Sequence, residues 1–292
     1  MNYSPLRYPG GKNRIAPLIR LIIRGLERPE ITYIEPFAGG AGVALSLLLE
    51  GDVQKIVIND YDKAIYSFWR AIKENPQAII DLVEHTPITI EEWQRQKEIY
   101  NTQNNRYSIE LGFSAFYLNR TNRSGILSAG PIGGYAQNGN YKIDARFNRE
   151  TLIQRIQNIA AQRSRIVVYN KDIRSFIKRV IPRYAHSAFV YFDPPYYVNG
   201  QRLYKNSFSS ADHANIANNI TNGVDCPWII TYDDVPELKV IYAHFPQRCY
   251  TLTYSAANKG KGSELIIFKS PQLIPDEENI QKCMENFQLT EI

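Results

Sequence analysis

The chain has 292 residues, 34 Lys+Arg against 29 Asp+Glu, a formal charge of +5 and 44% hydrophobic residues. That composition fills a buried core, which excludes a disordered or collagen-like chain, and a charge of this size permits a polyanionic partner without requiring one. The longest apolar stretch, 15–23, is broken by Arg20 and falls short of the roughly 20 residues that span a bilayer; with no secretory leader pattern either, the expected setting is cytoplasmic, with no membrane partner.

Apolar residues recur at Ile15, Leu18, Ile19, Ile22, Ile23 and Leu26, one face of a helix that Gly25 and Pro29 close. An apolar run over 31–37 reads as a strand. Gly39, Gly40 and Gly42 follow, then a helix over 43–50 ended by Gly51, and a second strand over 55–58 with Asn59-Asp60 at its tip. Strand, glycine loop, helix and strand with a terminal acid open a doubly wound sheet. Further strands read at 166–169, 189–192 and 228–232, and 250–254 with 264–268 form a hairpin across a Gly/Lys/Asn loop. The predicted fold is therefore α/β, a Rossmann-like doubly wound, mostly parallel sheet with a terminal antiparallel hairpin.

Between Asp60 and the strand at 166 lie about a hundred residues, where a crossover needs only a dozen or so. An insert over 61–165 is predicted, helical over 64–80, 90–101 and 113–118. Residues 119–147 are rich in Gly, Ser, Asn, Arg and Tyr, with turn signals at Gly133-Gly134 and Asn138-Gly139, and read as a loop plus hairpin. The sheet domain then comprises 1–60 and 166–270, and 271–292 is expected to be a weakly structured acidic tail.

Asp60 lies 20 residues after Gly40, the spacing at which a Rossmann-type acid meets ribose hydroxyls. The third glycine of a dinucleotide fingerprint is missing from Gly40-Ala41-Gly42-Val43-Ala44-Leu45, which argues against a pyrophosphate. A ligand with adenosine but no phosphate still needs a close backbone approach and a ribose acceptor, which Gly39, Gly40, Gly42 and Asp60 supply; S-adenosyl-L-methionine fits. The alternative for this segment alone is a tight strand-to-helix turn with Asp60 capping the next helix. Residues 6–12 are not a P-loop, because Leu6 and Asn13 stand where glycine and Ser/Thr are needed. What remains is a Pro-Gly-Gly turn that sets Lys12 at a helix mouth, as a carboxylate holder or as a solvated lysine.

After the strand at 189–192 comes Asp193-Pro194-Pro195-Tyr196, at the strand's carboxyl end, where open α/β sheets bind ligands. An exocyclic amine on adenine is a poor nucleophile because its lone pair is delocalised into the ring. A carboxylate that accepts one N–H, with a main-chain carbonyl accepting the other, frees that lone pair toward a methyl sulfonium. Two prolines make the turn rigid, so Asp193 and the Pro194 carbonyl converge, and Tyr196 stacks on the base. The alternative is an ordinary Asp-Pro turn. Cys226, Cys249 and Cys283 and four scattered histidines offer neither a disulfide framework nor a metal-ligand spacing, so no metal is expected.

The run 6–12, the stretch Glu35-Pro36-Phe37-Ala38-Gly39-Gly40-Ala41-Gly42, Asn59-Asp60, Leu118-Asn119-Arg120 and Asp193-Pro194-Pro195-Tyr196 occur in the order seen in the Dam-like family of DNA adenine methyltransferases, which the chain resembles from Leu6 to Phe268. The resemblance implies that Tyr8, Lys12, Asp60 and Asp193 contact S-adenosylmethionine above the glycine loop, with Asp172 near its adenine ring. It implies that Asp193, Pro194 and Tyr196 handle the target adenine, that the product is S-adenosyl-L-homocysteine, and that the insert is a target-recognition domain. Members that methylate GATC carry a different text after their Asn-Arg pair, so the resemblance does not extend to GATC specificity.

The expected partner is double-stranded DNA, its target adenine flipped out of the stack, with a cognate restriction endonuclease left open as a second partner. Base reading is assigned to Arg120, Asn122 and Arg123, with Gln137 and Asn140 as further pairing groups, and phosphate contacts to Lys259 and Lys261. Residues 198–208 are expected to close over the extruded base. Two competing functions are methylation of RNA or of a protein amide, and an idle DNA-binding module of the same fold.

Overall fold

The computed structural model describes residues 3–7, 12–103, 106–197, 209–253, 261–284 and 287–291. The first helix, α1 (Ala16–Gly25), has Pro17 in its first turn and buries Leu18, Ile19, Ile22 and Ile23, the predicted face. Strand β1 (Thr32–Glu35), helix α2 (Gly42–Leu49) and strand β2 (Lys55–Asn59) complete the opening unit. Strands β3 (Ile166–Tyr169), β4 (Ala188–Phe192) and β5 (Trp228–Asp233) extend the parallel sheet, and β6 (Gln247–Thr253) and β7 (Lys261–Phe268) form the antiparallel pair. With β8 (Thr290–Glu291), the order across the sheet is β3-β2-β1-β4-β5-β7-β6-β8. Both β2 and β4 pair with β1 in parallel, so the order reverses between β1 and β4 and a crevice opens at their carboxyl ends.

Side chains alternate between two cores, as the period of a strand requires. Ile56, Ile58, Phe189, Tyr191 and Ile229 join one core with α1 and α2. Val57, Val190, Phe192, Ile230 and Tyr232 join the other with α8 (Ile173–Arg179) and α9 (Ser210–Gly223). A short helix, α10 (Pro236–Ile241), adds Leu238 to this second core.

The insert is helical as predicted, with differences. The stretch read as 64–80 is two helices, α3 (Lys63–Glu74) and α4 (Pro76–His85), because Pro76 cannot donate within a helix but suits a first turn. Helix α5 (Ile90–Thr102) follows, and α6 (Ile109–Thr121), capped by Ser108, is longer than the predicted 113–118. Helix α7 (Arg149–Ala161) leads back to the sheet. Gly112 lets α6 lie against α3, since a Cβ there would come within 2.7 Å of the Phe68 amide nitrogen. Phe113 and Phe116 of α6 share one buried cluster with Tyr33 and Ile56 of the sheet, so the insert has no core of its own.

Two expectations about irregular segments are corrected. Across 119–147 no hairpin forms: Asn119 to Thr121 finish α6, and the rest is turns with an isolated bridge between Asn122 and Pro131. Gln137 replaces the missing ladder, its amide donating to the carbonyls of Ile132 and Gly134 and its oxygen accepting from the Ile143 N–H. The tail beyond 270 is not weakly tied. It carries α11 (Glu277–Cys283) and β8, and Leu273, Ile280 and Phe287 are buried in the core shared with α1. Apolar residues spaced through an acidic text give that segment a face to bury. Among the described residues no helix is long and apolar enough to cross a membrane.

Candidate active site

The carboxyl ends of four neighbouring strands gather acids: Glu35 on β1, Asp60 just past β2, Asp193 just past β4 and Asp233 on β5. The predicted glycine loop lies between β1 and α2, with Gly39 in the left-handed region at φ 45° and Ala41 at φ 46°. A non-glycine residue there is strained and needs outside support. Hydrogen bonds to the loop's backbone supply it: Gly39 donates to Asp60 Oδ2 at 2.8 Å, the Gly39 carbonyl accepts from Trp69 at 2.9 Å, and the Gly40 carbonyl accepts from the Ser4 hydroxyl at 2.5 Å. Gly42 begins α2, whose Ala44 N–H donates to Glu35 at 3.2 Å. Burial, then the nearby Asp193 charge, holds the Glu35 carboxyl well above the usual range.

Asp60 does not merely cap a helix, because Asp62 caps α3 by accepting from the Ala64 N–H. Its second oxygen accepts from the Asp62 N–H at 2.9 Å. Burial and the Asp62 charge push its pKa up to about 7, against the pull of the two N–H donors. A carboxylate has about four lone-pair sites, so acceptor capacity remains for ligand hydroxyls beside the loop. The groups present fit the methyl donor expected from the sequence: a glycine-loop backbone, the Asp60 carboxylate beside it with acceptor capacity to spare, and a second carboxylate at Asp193. Asp172 is the N-cap of α8, accepting from the Ser175 N–H at 3.0 Å, and its side chain is spent on that bond at least in part.

The Asp193-Pro194-Pro195-Tyr196 turn leaves β4 as predicted. Thr231 of β5 donates to Asp193 Oδ1 at 2.9 Å, and Tyr191 is hydrogen-bonded to the same Thr231 hydroxyl at 2.8 Å. Tyr196 donates to Glu264 Oε1 at 3.2 Å, and Tyr250 donates to Glu264 Oε2 at 2.5 Å. Burial followed by the Glu264 charge raises the Tyr250 hydroxyl well above its ordinary pKa, so it stays a donor. Asp233 accepts from the Tyr197 N–H at 2.8 Å, and the Tyr197 ring packs on His213, which burial shifts toward the neutral form. Thr231 and Glu264 carry no motif of their own. Their signal was register: both sit on strands of the same half-sheet as β4, and Glu264 is a charge within an apolar strand.

Tyr8 and Lys259 lie outside the described residues, as do 198–208 and the side chains of Lys12 and Lys261. Of the predicted base readers, Arg123 is exposed at the head of the turn region. Asn122 is a correction. It is fully buried, its oxygen accepting from the Trp93 indole at 2.6 Å and its amide donating to Ile126 and Leu127 carbonyls at 2.8 and 3.1 Å. No polar atom is left to meet a base edge. Gln137 is likewise committed to its own turn. Arg120 is half-buried and donates to the Arg146 carbonyl at 2.7 Å. Its neighbour Asn119 grips the N-terminal strap, accepting from the Arg7 N–H at 2.6 Å and donating to the Arg7 carbonyl at 2.7 Å.

An open doubly wound sheet with acids gathered at the carboxyl ends of its central strands defines a Rossmann-like α/β protein with its ligand crevice at the β1/β4 switch point. Residues 8–255 match the D12 class N6 adenine-specific DNA methyltransferases, and the chain belongs to that family. It is 27% identical over 209 residues to type II methyltransferase M1.LlaDCHI of Lactococcus lactis subsp. cremoris, an alignment that covers 67% of this chain and 66% of that protein, just under two thirds of its length. It is 24% identical over 206 residues to type II methyltransferase M.MjaIII of Methanocaldococcus jannaschii, covering 65% of this chain and 68% of that one. Among solved structures, the rRNA methyltransferase aviRa of Streptomyces viridochromogenes superposes with a TM-score of 0.41 at 13% identity, covering 91% of this chain and 88% of that chain.

Proposed function

We propose that the chain transfers a methyl group from S-adenosylmethionine to the exocyclic amine of an adenine flipped out of double-stranded DNA. The observation that carries this reading is the Asp193-Pro194-Pro195-Tyr196 turn at the β1/β4 crevice, with Asp193 fixed by Thr231 and Tyr196 by Glu264. The sulfonium donor, when bound, supplies an electrophilic methyl carbon and departs as a neutral thioether. Asp193 accepts one amine N–H and the Pro194 carbonyl the other, which localises the nitrogen lone pair. The nitrogen gains a C–N bond as the carbon–sulfur bond breaks, and one amine proton leaves to solvent. Asp60 accepts from the ribose hydroxyls, and Gly39, Gly40 and Gly42 let that ligand lie against the loop. Tyr196 gives the extruded base an aromatic face.

A neutral leaving group needs no Lewis acid, so the proposed transfer is metal-free and EDTA should leave the rate unchanged; a rate lost to EDTA and restored by a divalent ion would overturn that part. Residues 61–165 are proposed to be the target-recognition region. The type II naming of both relatives supports a cognate endonuclease as a further partner. The test of the reading as a whole is expression in a methylation-free host followed by single-molecule sequencing of its DNA. Methylated adenine in one sequence context supports it, whereas unmodified DNA from cells making folded protein, with methyl transfer to RNA or protein instead, would replace it.

A further inference from the structure

Four arginines from four separate segments converge where the N-terminal strap meets the insert: Arg7 on the strap, Arg120 at the end of α6, Arg146 in the turn region and Arg155 on α7. The strap is pinned on three sides. The Ser4 hydroxyl binds the Gly40 carbonyl of the glycine loop, Asn119 grips both main-chain groups of Arg7, and Arg155 donates to the Ser4 carbonyl at 3.0 Å. Gly125, at φ 75°, completes the seat, since a Cβ there would come within 2.6 Å of the Arg7 carbonyl oxygen.

Three of the guanidiniums are aimed by one main-chain carbonyl each: Arg7 by Asn122 at 3.5 Å, Arg120 by Arg146 at 2.7 Å and Arg155 by Ser4 at 3.0 Å. Each uses one N–H for this and keeps the others. Among the described residues none of the four pairs with a carboxylate, whereas Arg20, Arg24, Arg70, Arg95 and Arg248 all do. Burial and the charges of Arg7, Arg155 and Arg146 push the Arg120 pKa down to about 9. Guanidinium remains protonated at neutral pH, so the four charges crowd together with no carboxylate in ion-pair contact among the described residues. Arg7, Arg120 and Arg155 are half-buried and Arg146 is exposed, which leaves the cluster open on the Arg146 side.

We propose that Arg7, Arg120, Arg146 and Arg155 form a binding site for a backbone phosphate of the DNA strand. The inference rests on the DNA reading above and assigns to Arg120 a phosphate in place of a base edge. A forked donor of this kind suits phosphate oxygens, and a polyanion supplies the charge that several unneutralised guanidiniums require. The strap ties the cluster to the glycine loop, so a phosphate held there fixes the strand relative to the crevice.

The test is fluorescence anisotropy with a labelled 30-base-pair duplex across a salt series, comparing wild type with Arg146→Gln and with Arg146→Gln/Arg155→Gln. Arg146 is exposed and its side chain makes no hydrogen bond or ion pair among the described residues, so the single variant keeps the fold, which thermal melting checks. The expected result is a loss of affinity of about tenfold in the double variant, equal across duplex sequences, with the salt slope shallower by about one unit for each phosphate no longer held. S-adenosylhomocysteine affinity should be unchanged in Arg146→Gln. Replacing duplex phosphates one at a time by methylphosphonate should weaken wild type at one position and leave the double variant indifferent there. A wild type that binds duplex while both variants retain its affinity and salt slope overturns the phosphate site alone. A wild type that binds no duplex overturns the DNA reading and this site with it.

Discussion

The tip of β4 and the turn region 119–147 are both polar, yet they use their side chains in opposite ways. At the β4 tip the groups proposed to act on the substrate are held by others: Thr231 holds Asp193 and Glu264 holds Tyr196, from strands β5 and β7. In the turn region the polar side chains hold the chain around them: Asn122 binds Trp93, Ile126 and Leu127, and Gln137 binds Ile132, Gly134 and Ile143. A segment without a ladder must satisfy its main chain from side chains. Polarity in such a segment therefore signals scaffolding first and recognition second.

The largest effect should come from the held group itself. Asp193→Ala removes a preorganised acceptor, which costs about 10²-fold or more in kcat, with S-adenosylmethionine affinity changing less than turnover. Thr231→Val should lower kcat by about tenfold, since a hydrogen bond to a charged group is worth roughly 1.5–3 kcal/mol. Single-turnover methylation of a duplex measures both. If Thr231→Val equals wild type, Asp193 is held without Thr231 and the contrast between held and holding groups weakens.

On the other side of the comparison, Asn122→Ala should act on stability. It leaves the Trp93 indole and two carbonyls unpaired in a buried site, at a cost of about 2–3 kcal/mol, whereas Arg123→Ala, at an exposed position, should change stability by no more than about 0.5 kcal/mol. Urea titration separates them. Full stability in Asn122→Ala together with a changed methylation sequence would restore Asn122 as a base reader.

The sheet and the acids at its strand tips were legible because both follow from period and position. Alternation placed the strands, and an acid after an apolar strand is at a strand tip whatever its partners. What the sequence did not show was where each polar group is spent. Asn122 and Arg123 are adjacent and equally polar, yet one is buried under Trp93 and the other exposed, a difference that depends on α5 arriving from elsewhere in the chain. Thr231 and Glu264 were missed for the same reason, since their roles exist only through strand pairing. Tail residues Leu273, Ile280 and Phe287 were hidden by the acids between them.

Asp60 offers a smaller effect with a defined sign. Its folded pKa, about 7, lies above the unfolded value near 3.9. The folded state therefore holds the proton more tightly, and this group's contribution to stability falls as pH rises from about 4 to 7. Ribose hydroxyls are better accepted by the ionised form, so S-adenosylhomocysteine affinity should rise by up to tenfold per pH unit toward pH 7, level off above it and release a proton near pH 6. Calorimetry in buffers of different ionisation enthalpy measures that proton. Asp60→Asn should bind more weakly and with no such slope, and a wild-type affinity flat from pH 5 to 8 would place the ribose elsewhere.

The smallest effect should be that of Tyr196→Phe, and its size depends on what the Glu264 hydrogen bond does. Stacking on a base is worth roughly 1–3 kcal/mol, so Tyr196→Ala should raise KM for DNA by about tenfold or more. The Phe variant keeps the ring but removes one hydroxyl that Glu264 accepts, leaving the Tyr250 donor in place. Glu264 is almost fully buried, so that loss should appear as a drop of up to several-fold in kcat through a looser ring, with KM for DNA close to wild type. Glu264→Gln should reproduce the Phe phenotype, because it weakens the same hydrogen bond from the other side. A Phe variant as poor as the Ala variant would mean that the hydroxyl, and not the aromatic face, is what Tyr196 contributes. A Phe variant with a normal rate beside a crippled Glu264→Gln would mean that Glu264 acts through Tyr250 and that Tyr196 is placed without it.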